Sequence, residues 1–226
     1  MSTLSGRFAG LALLGLALAA CSSLLTETPR KLYRLSPQPA PAAALPRVAA
    51  QVLVEPPAAP AAFDTNRIAL SRSPVTLDYF YDAEWTDSAP KLVQAALLEA
   101  FENSRAITAV DRDSLTLRAD FVLRSELRHF EAVYDSAAGA TPAQLAASSA
   151  PPQVWVALNV RLVDVAERTI VAQRTFEHRA AAAANDLPSI VRAFDEALGA
   201  TDREIVVWIV ANPALASTKP ALPARR

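Results

Sequence analysis

Leu117-Arg118-Ala119-Asp120-Phe121-Val122-Leu123-Arg124-Ser125-Glu126-Leu127-Arg128-His129-Phe130 is the stretch on which the fold turns. Leu117, Ala119, Phe121, Leu123 and Leu127 fall on one face, and Arg118, Asp120, Arg124, Glu126 and Arg128 on the other. A period of two marks a strand with one side on a core and the other toward water or a partner. Downstream, Val154, Val156, Leu158, Val160 and Leu162 alternate in the same way. Ile170, Ala172 and Phe176 resume the pattern after an Ala166-Glu167-Arg168 turn, which predicts a long hairpin over about 153–180. Upstream, Arg67–Arg72 and Val75–Tyr81 read as paired strands joined at Ser73-Pro74. Val48–Glu55 and the short Lys31–Leu35 are further strand candidates.

Two helices frame these strands. Ser88-Ala89-Pro90 opens the first, with Ser88 as N-cap and Pro90 in the first turn. Leu92, Val93, Ala96, Leu97, Ala100 and Phe101 share its apolar face, while Lys91, Gln94, Glu99 and Glu102 read as surface. Asn185-Asp186-Leu187-Pro188 starts the second, whose buried stripe is Leu187, Ile190, Val191, Phe194 and Leu198. Ile205–Val210 is β-branched and aromatic, yet Ile205 and Ile209 extend the stripe, so the helix runs on to Asn212-Pro213. The expected fold class is α+β: a single domain, a largely antiparallel mixed sheet, and two helices packed on one face.

The N-terminus sets the compartment. One positive charge at Arg7 precedes an apolar run from Phe8 to Leu18, which is too short for a spanning helix of roughly 20 residues. It ends at Leu18-Ala19-Ala20-Cys21, a string that resembles the lipobox of bacterial lipoproteins. Residues 1–20 are then a cleaved lipoprotein signal peptide, 21–30 a lipidated tether, 31–211 the domain, and 212–226 a disordered tail. Cys21, the single cysteine, is the expected lipid attachment site, so no disulfide can form within the chain. N-terminal acyl chains, each gaining ~0.8 kcal/mol per buried methylene, would make the membrane a standing partner. Ser22, rather than an Asp that retains lipoproteins at the inner membrane, favours the periplasmic face of the outer membrane.

Without the signal, 206 of the 226 residues remain, enough for one domain with a real core. Losing Arg7 takes the 22 basic residues to 21 against 23 acidic, so there is no electrostatic case for nucleic-acid binding. His129 and His178, the two histidines, sit late in strands beside Glu131 and Glu177 and read as sheet-edge surface residues. No Gly-rich phosphate loop, nucleophile elbow or zinc-ligand spacing occurs, so no enzyme, cofactor or metal is expected. Tyr79-Phe80-Tyr81-Asp82-Ala83-Glu84-Trp85 puts four aromatics in seven residues. Phe80 and Trp85 suit the core under the first helix. Read as a contact surface, Tyr79, Tyr81 and Trp85 are the candidate partner-binding residues.

In order along the chain come the lipobox, Leu32-Tyr33-Arg34-Leu35, a Pro-rich gap, a Val-rich strand and Asn66-Arg67-Ile68-Ala69-Leu70. Then follow Tyr79-Phe80-Tyr81 with Trp85, Leu92-Val93-Gln94-Ala95-Ala96-Leu97, Ala119-Asp120-Phe121-Val122-Leu123 and Glu126-Leu127-Arg128-His129-Phe130-Glu131. Over roughly residues 18–210 this set resembles the ABC-type transport auxiliary lipoproteins. The resemblance implies a non-enzymatic periplasmic component of an Mce-type system that moves phospholipids or other hydrophobic compounds. It would act by docking to an Mce-domain protein and its ABC permease and ATPase. A homo-oligomer is possible through a strand at the sheet edge. The alternatives are a structural or assembly-assisting outer-membrane lipoprotein, or a direct lipid carrier.

Overall fold

The computed structural model describes residues 30–36, 45–112, 118–134 and 150–216. Cys21, the signal, most of the tether and the Ala/Ser-rich segment 136–149 lie outside the described residues. The chain separates into units 1–31 and 32–226, and the second holds the domain. In chain order its elements are β1 (Lys31–Tyr33), β2 (Val48–Val54), β3 (Arg67–Ser73), β4 (Thr76–Trp85) and α1 (Ala89–Ser104). β5 (Ile107–Asp111), β6 (Phe121–Val133), β7 (Gln153–Asp164), β8 (Thr169–Ala181), α2 (Leu187–Val210) and α3 (Pro213–Ala216) follow.

All eight strands form one sheet. β6 is its spine. Along one margin it carries β7 antiparallel over nearly its full length, and β8 pairs antiparallel with β7. The other margin is shared. β2 pairs parallel at Phe121–Leu123, Ala58 bridges to Glu126, and β3 pairs parallel at Glu131–Val133. The expected antiparallel character therefore holds for the two hairpins, whereas β2 and β3 join β6 in parallel. β5, a parallel neighbour of β2, has no counterpart in the sequence reading. Five residues at a sheet edge, four of them half-buried and one exposed, leave too little alternation to detect.

The hydrophobic layer lies between this sheet and the helices. Val154, Val156, Leu158, Val160 and Leu162 of β7 are all fully buried, as the alternation requires. Trp85, Phe130 and Phe194 interlock, with ring centroids 4.9–5.9 Å apart. At Arg128 the β6–β7 register shifts by one residue. This bulge moves core contact from odd-numbered Leu127 to even-numbered Phe130 and turns His129 and Glu131 to the opposite face.

The helices begin as expected, with differences in detail. Asp186 caps α2 by accepting from the Ser189 N–H at 2.8 Å. Ser88 occupies the α1 cap position without a side-chain cap bond, and Asp87 accepts from the Ser88 N–H and from Lys91 instead. Gln94 is buried, contrary to the surface position expected for it. At 3.6 residues per turn it lies above Leu97, Leu98 and Phe101, and its amide is satisfied by donating to the Val54 carbonyl at 2.8 Å. α2 runs unbroken through Gly199 to Val210. Beyond it, Pro213–Ala216 forms one more helical turn with Leu215 buried, where a disordered tail was expected.

Candidate functional site

The aromatic segment divides three ways. Trp85 is 1% exposed at the end of β4 and belongs to the core cluster, so it is not a contact residue. Tyr79 is half-buried: its hydroxyl donates to the Ala62 carbonyl at 3.1 Å, and the Arg67 guanidinium lies 3.7 Å from its ring centre. Tyr81, 87% exposed, is the one that reaches outward. The cause lies in the register. Between the Arg67–Glu84 and Ala69–Tyr79 pairs, β4 spans five residues against two in β3, and the extra residues break the alternation on which equal placement of Tyr79 and Tyr81 rested.

The face of β6, β7 and β8 turned away from α1 and α2 carries the second arrangement. Trp155 stands between His129 and Arg179. The imidazole is stacked on the indole at 3.4 Å and 10°, and the Arg179 guanidinium lies 4.0 Å from the indole. Glu131, only 6% exposed, is satisfied by His129 Nδ1 at 2.8 Å. Beside this stack is a groove of about 600 Å³ between the β6–β7 face and the β3–β4 turn, where Val75 is almost fully exposed. Its lining is mainly apolar, with Arg128, His129 and Glu131 as its ionisable members. Sequence reasoning passed over Trp155. Its signal was an indole on the polar side of an otherwise clean alternation.

His178 lies elsewhere, at the seam of β8 and α2. Its Nε2 is 3.0 Å from Glu204, which also accepts from Arg174, so Glu204 takes the place expected for Glu177. Among the described residues no group of three or more His, Cys, Asp or Glu side chains could hold a metal ion. Three of the hydroxyls bordering the groove have other partners: Ser73 and Thr76 bond each other at 2.7 Å, and Tyr134 donates to Asn185 at 2.8 Å. Burial pushes the Tyr134 phenol up, with Arg72 opposing. Two carboxyls on α2 are also perturbed. Burial raises Asp195, against a hydrogen bond from the Ser36 N–H at 2.7 Å. Asp202 is fully buried, neither of its oxygens has a partner, and burial raises it well above the ordinary aspartate value.

Among the described residues no helix is long and apolar enough to cross a membrane. The class defined by these features is an α+β domain with helices on one face of a mixed sheet and an open face bearing charged and aromatic side chains. More specifically, the chain belongs to the family described as the ABC-type transport auxiliary lipoprotein component, whose model matches residues 33–206. The crystal structure of protein XCC0632 from Xanthomonas campestris is similar at 28% identity and a TM-score of 0.72, covering 84% of this chain and 99% of that one. A second solved structure shares the fold at 14% identity and a TM-score of 0.59, over 80% of this chain and 99% of its own. The Bradyrhizobium diazoefficiens protein bll6063 is 33% identical over 131 residues, 58% of this chain and only 32% of that relative's length.

Proposed function

We propose that this chain is a lipid-anchored periplasmic auxiliary component of an Mce-type ABC transport system, docking the partner assembly at the outer membrane. The observation that carries this reading is the family match over residues 33–206. Cys21 would hold the domain to the bilayer through its acyl chains, and confinement at the membrane would raise its effective concentration near the partner. Exposed Tyr81 is an available aromatic anchor for that contact. The transported compound would be a phospholipid or another hydrophobic molecule. Passage through this subunit's interior is disfavoured, because Trp85, Phe130 and Phe194 fill the space between sheet and helices.

The test is a crosslinked pull-down of the tagged protein from native membranes, read by mass spectrometry. The expected result is recovery of an Mce-domain protein with its permease and ATPase, reduced at least several-fold by Tyr81→Ala. Cys21→Ser should accumulate as uncleaved precursor and lose stable membrane attachment. Absence of the transport proteins from a well-expressed sample would overturn the docking role and favour a structural envelope lipoprotein.

A further inference from the structure

We propose that Leu32–Ser36 is a releasable clasp: it lies folded on β4 and α2 when the tether is short, and lets go as a unit to lengthen the tether. The segment is the first of the domain to follow the tether, and none of its five residues is fully buried. Leu32 is 65% exposed, Arg34 and Ser36 are exposed, and Tyr33 and Leu35 rest partly against the core. Its strand, β1, is three residues long and ends the sheet, with β4 as its neighbour. Two long-range bonds fasten it. The Thr86 N–H donates to the Tyr33 carbonyl at 2.9 Å, and the Ser36 N–H donates to the Asp195 carboxylate at 2.7 Å. Thr86 and Ser36 are exposed, so water competes for both bonds. Few buried apolar groups and surface hydrogen bonds mark a unit that opens while the rest stays folded.

What the clasp leaves behind holds without it. Trp85, next to Thr86, is buried, and its N–H donates to the Asn66 carbonyl rather than to the clasp. Its indole packs on Phe130 and Phe194, and Phe194 precedes Asp195 on α2. Downstream the chain is fixed again from Leu45, which packs against the core. The Val48 N–H then donates to the Ala106 carbonyl at 2.8 Å, and Ala50 is fully buried. Asp195 sets the balance between the two states. Its carboxylate gains a charge-assisted bond from Ser36, yet it is half-buried, and burial raises it. Release returns the carboxylate to water, which offsets part of the lost bond.

The consequence is reach. Eleven residues separate Cys21 from Leu32, and twenty-four separate it from Leu45. At ~3.5 Å per residue, the extended limits are ~38 Å and ~84 Å. Release therefore roughly doubles the distance from the bilayer at which the anchored domain can meet a partner. A partner seated far from the bilayer selects the open form, and one close to it the closed form. The lengthening rests on the reading that Cys21 is acylated, whereas the opening of the clasp does not.

The experiment uses the full-length lipidated chain. In detergent, amide hydrogen exchange is read by NMR at Ser36, Thr86 and Trp85. Ser36 and Thr86 should be at least about 100-fold less protected than Trp85. Asp195→Ala should speed exchange at Thr86 at least about tenfold and leave Trp85 unchanged. Asp195→Asn keeps an acceptor oxygen and should lie close to the wild type. On vesicles carrying an acceptor lipid, a donor dye on Glu99→Cys, at an exposed position of α1, reads the height of the domain. Tyr33→Ser/Leu35→Ser/Asp195→Ala should hold the clasp open and cut energy transfer at least about twofold, because end-to-end distance grows with the square root of chain length. Equal protection at Thr86 and Trp85, an Asp195→Ala variant that speeds both alike, or unchanged transfer from the triple variant would overturn the proposal. Should the triple variant fail to fold, exchange in the wild type and Asp195→Ala decides. A chain that washes off the vesicles while Thr86 still opens ahead of Trp85 would overturn the acylated anchor and support the clasp.

Discussion

The two faces of β6, β7 and β8 are built from the same three strands and do opposite work. Toward the helices the strands present Leu123, Leu127 and Phe130, the five aliphatic residues of β7, and Phe176, against Phe194, Ile205 and Ile209. Away from them, direct cross-strand partners form rows: Arg124–Arg161–Gln173, Glu126–Asn159–Thr175 and Glu131–Trp155–Arg179. Each face has an aromatic cluster. Trp85, Phe130 and Phe194 are held by apolar neighbours, whereas Trp155 is held between an imidazole and a guanidinium. Burial alone does not separate the faces, because Ala157 and Asn159 are buried on the open side. There the Asn159 amide donates to Thr175 at 3.0 Å and accepts from Gln173 at 3.3 Å. What separates the faces is what replaces water: hydrocarbon on one side, hydrogen-bonded polar groups on the other.

The most severe way to test that contrast is Trp85→Ala. It removes the largest fully buried side chain and leaves a cavity between Phe130 and Phe194, at an expected cost of about 3–5 kcal/mol in urea unfolding. A loss below about 1 kcal/mol would mean that the helix layer is not tightly packed on the sheet.

Asp202 is the exception on the covered side, and its effect should be smaller and pH-dependent. Its folded carboxyl keeps the proton to higher pH than the unfolded chain, whose value is near 3.9. Below that value both states are protonated, and the residue imposes no ionisation penalty. As pH rises from there, the unfolded state ionises first and stability falls, until pH passes the raised folded value. Asp202→Asn should therefore gain stability over the wild type at pH 8 and gain less at pH 5, measured by urea unfolding at both. Comparing variant with wild type cancels the contribution of Asp195, which has the same sign. Parallel pH curves for the two proteins would mean that the carboxylate has a compensating partner.

The same contrast explains what could be read from residues alone. β7 and α2 were legible because their apolar periods continue over twelve and twenty-four residues, against one partner layer each. The β3–β4 turn and both helix starts were legible from Pro, Asp and Ser chemistry. Parity was not legible across a bulge. The shift at Arg128 and the three extra residues in β4 each reset which side chains share a face. This put Glu131 on the face opposite Leu127 and separated Tyr81 from Tyr79. Pairing direction was hidden as well, since nothing local to β2 or β3 records that both lie parallel to β6. The Trp155 stack was invisible because it joins three strands whose juxtaposition is purely tertiary.

Trp155→Ala is the gentlest test and the most discriminating one. Its ring is only partly buried, so less hydrocarbon returns to water than at Trp85. The lost terms are one stacked contact with His129 and one cation–π contact with Arg179, together about 1–2 kcal/mol in urea unfolding. Trp155→Phe should recover roughly half of that, because a smaller ring still offers a face to each neighbour. The buried Nε1–H of Trp155 has no hydrogen-bond partner, so losing it costs nothing and removes an unsatisfied donor. If Trp155→Ala instead costs as much as Trp85→Ala, the open face is a second core in energetic terms. The distinction between hydrocarbon and hydrogen-bonded polar cover would then fail at its central residue.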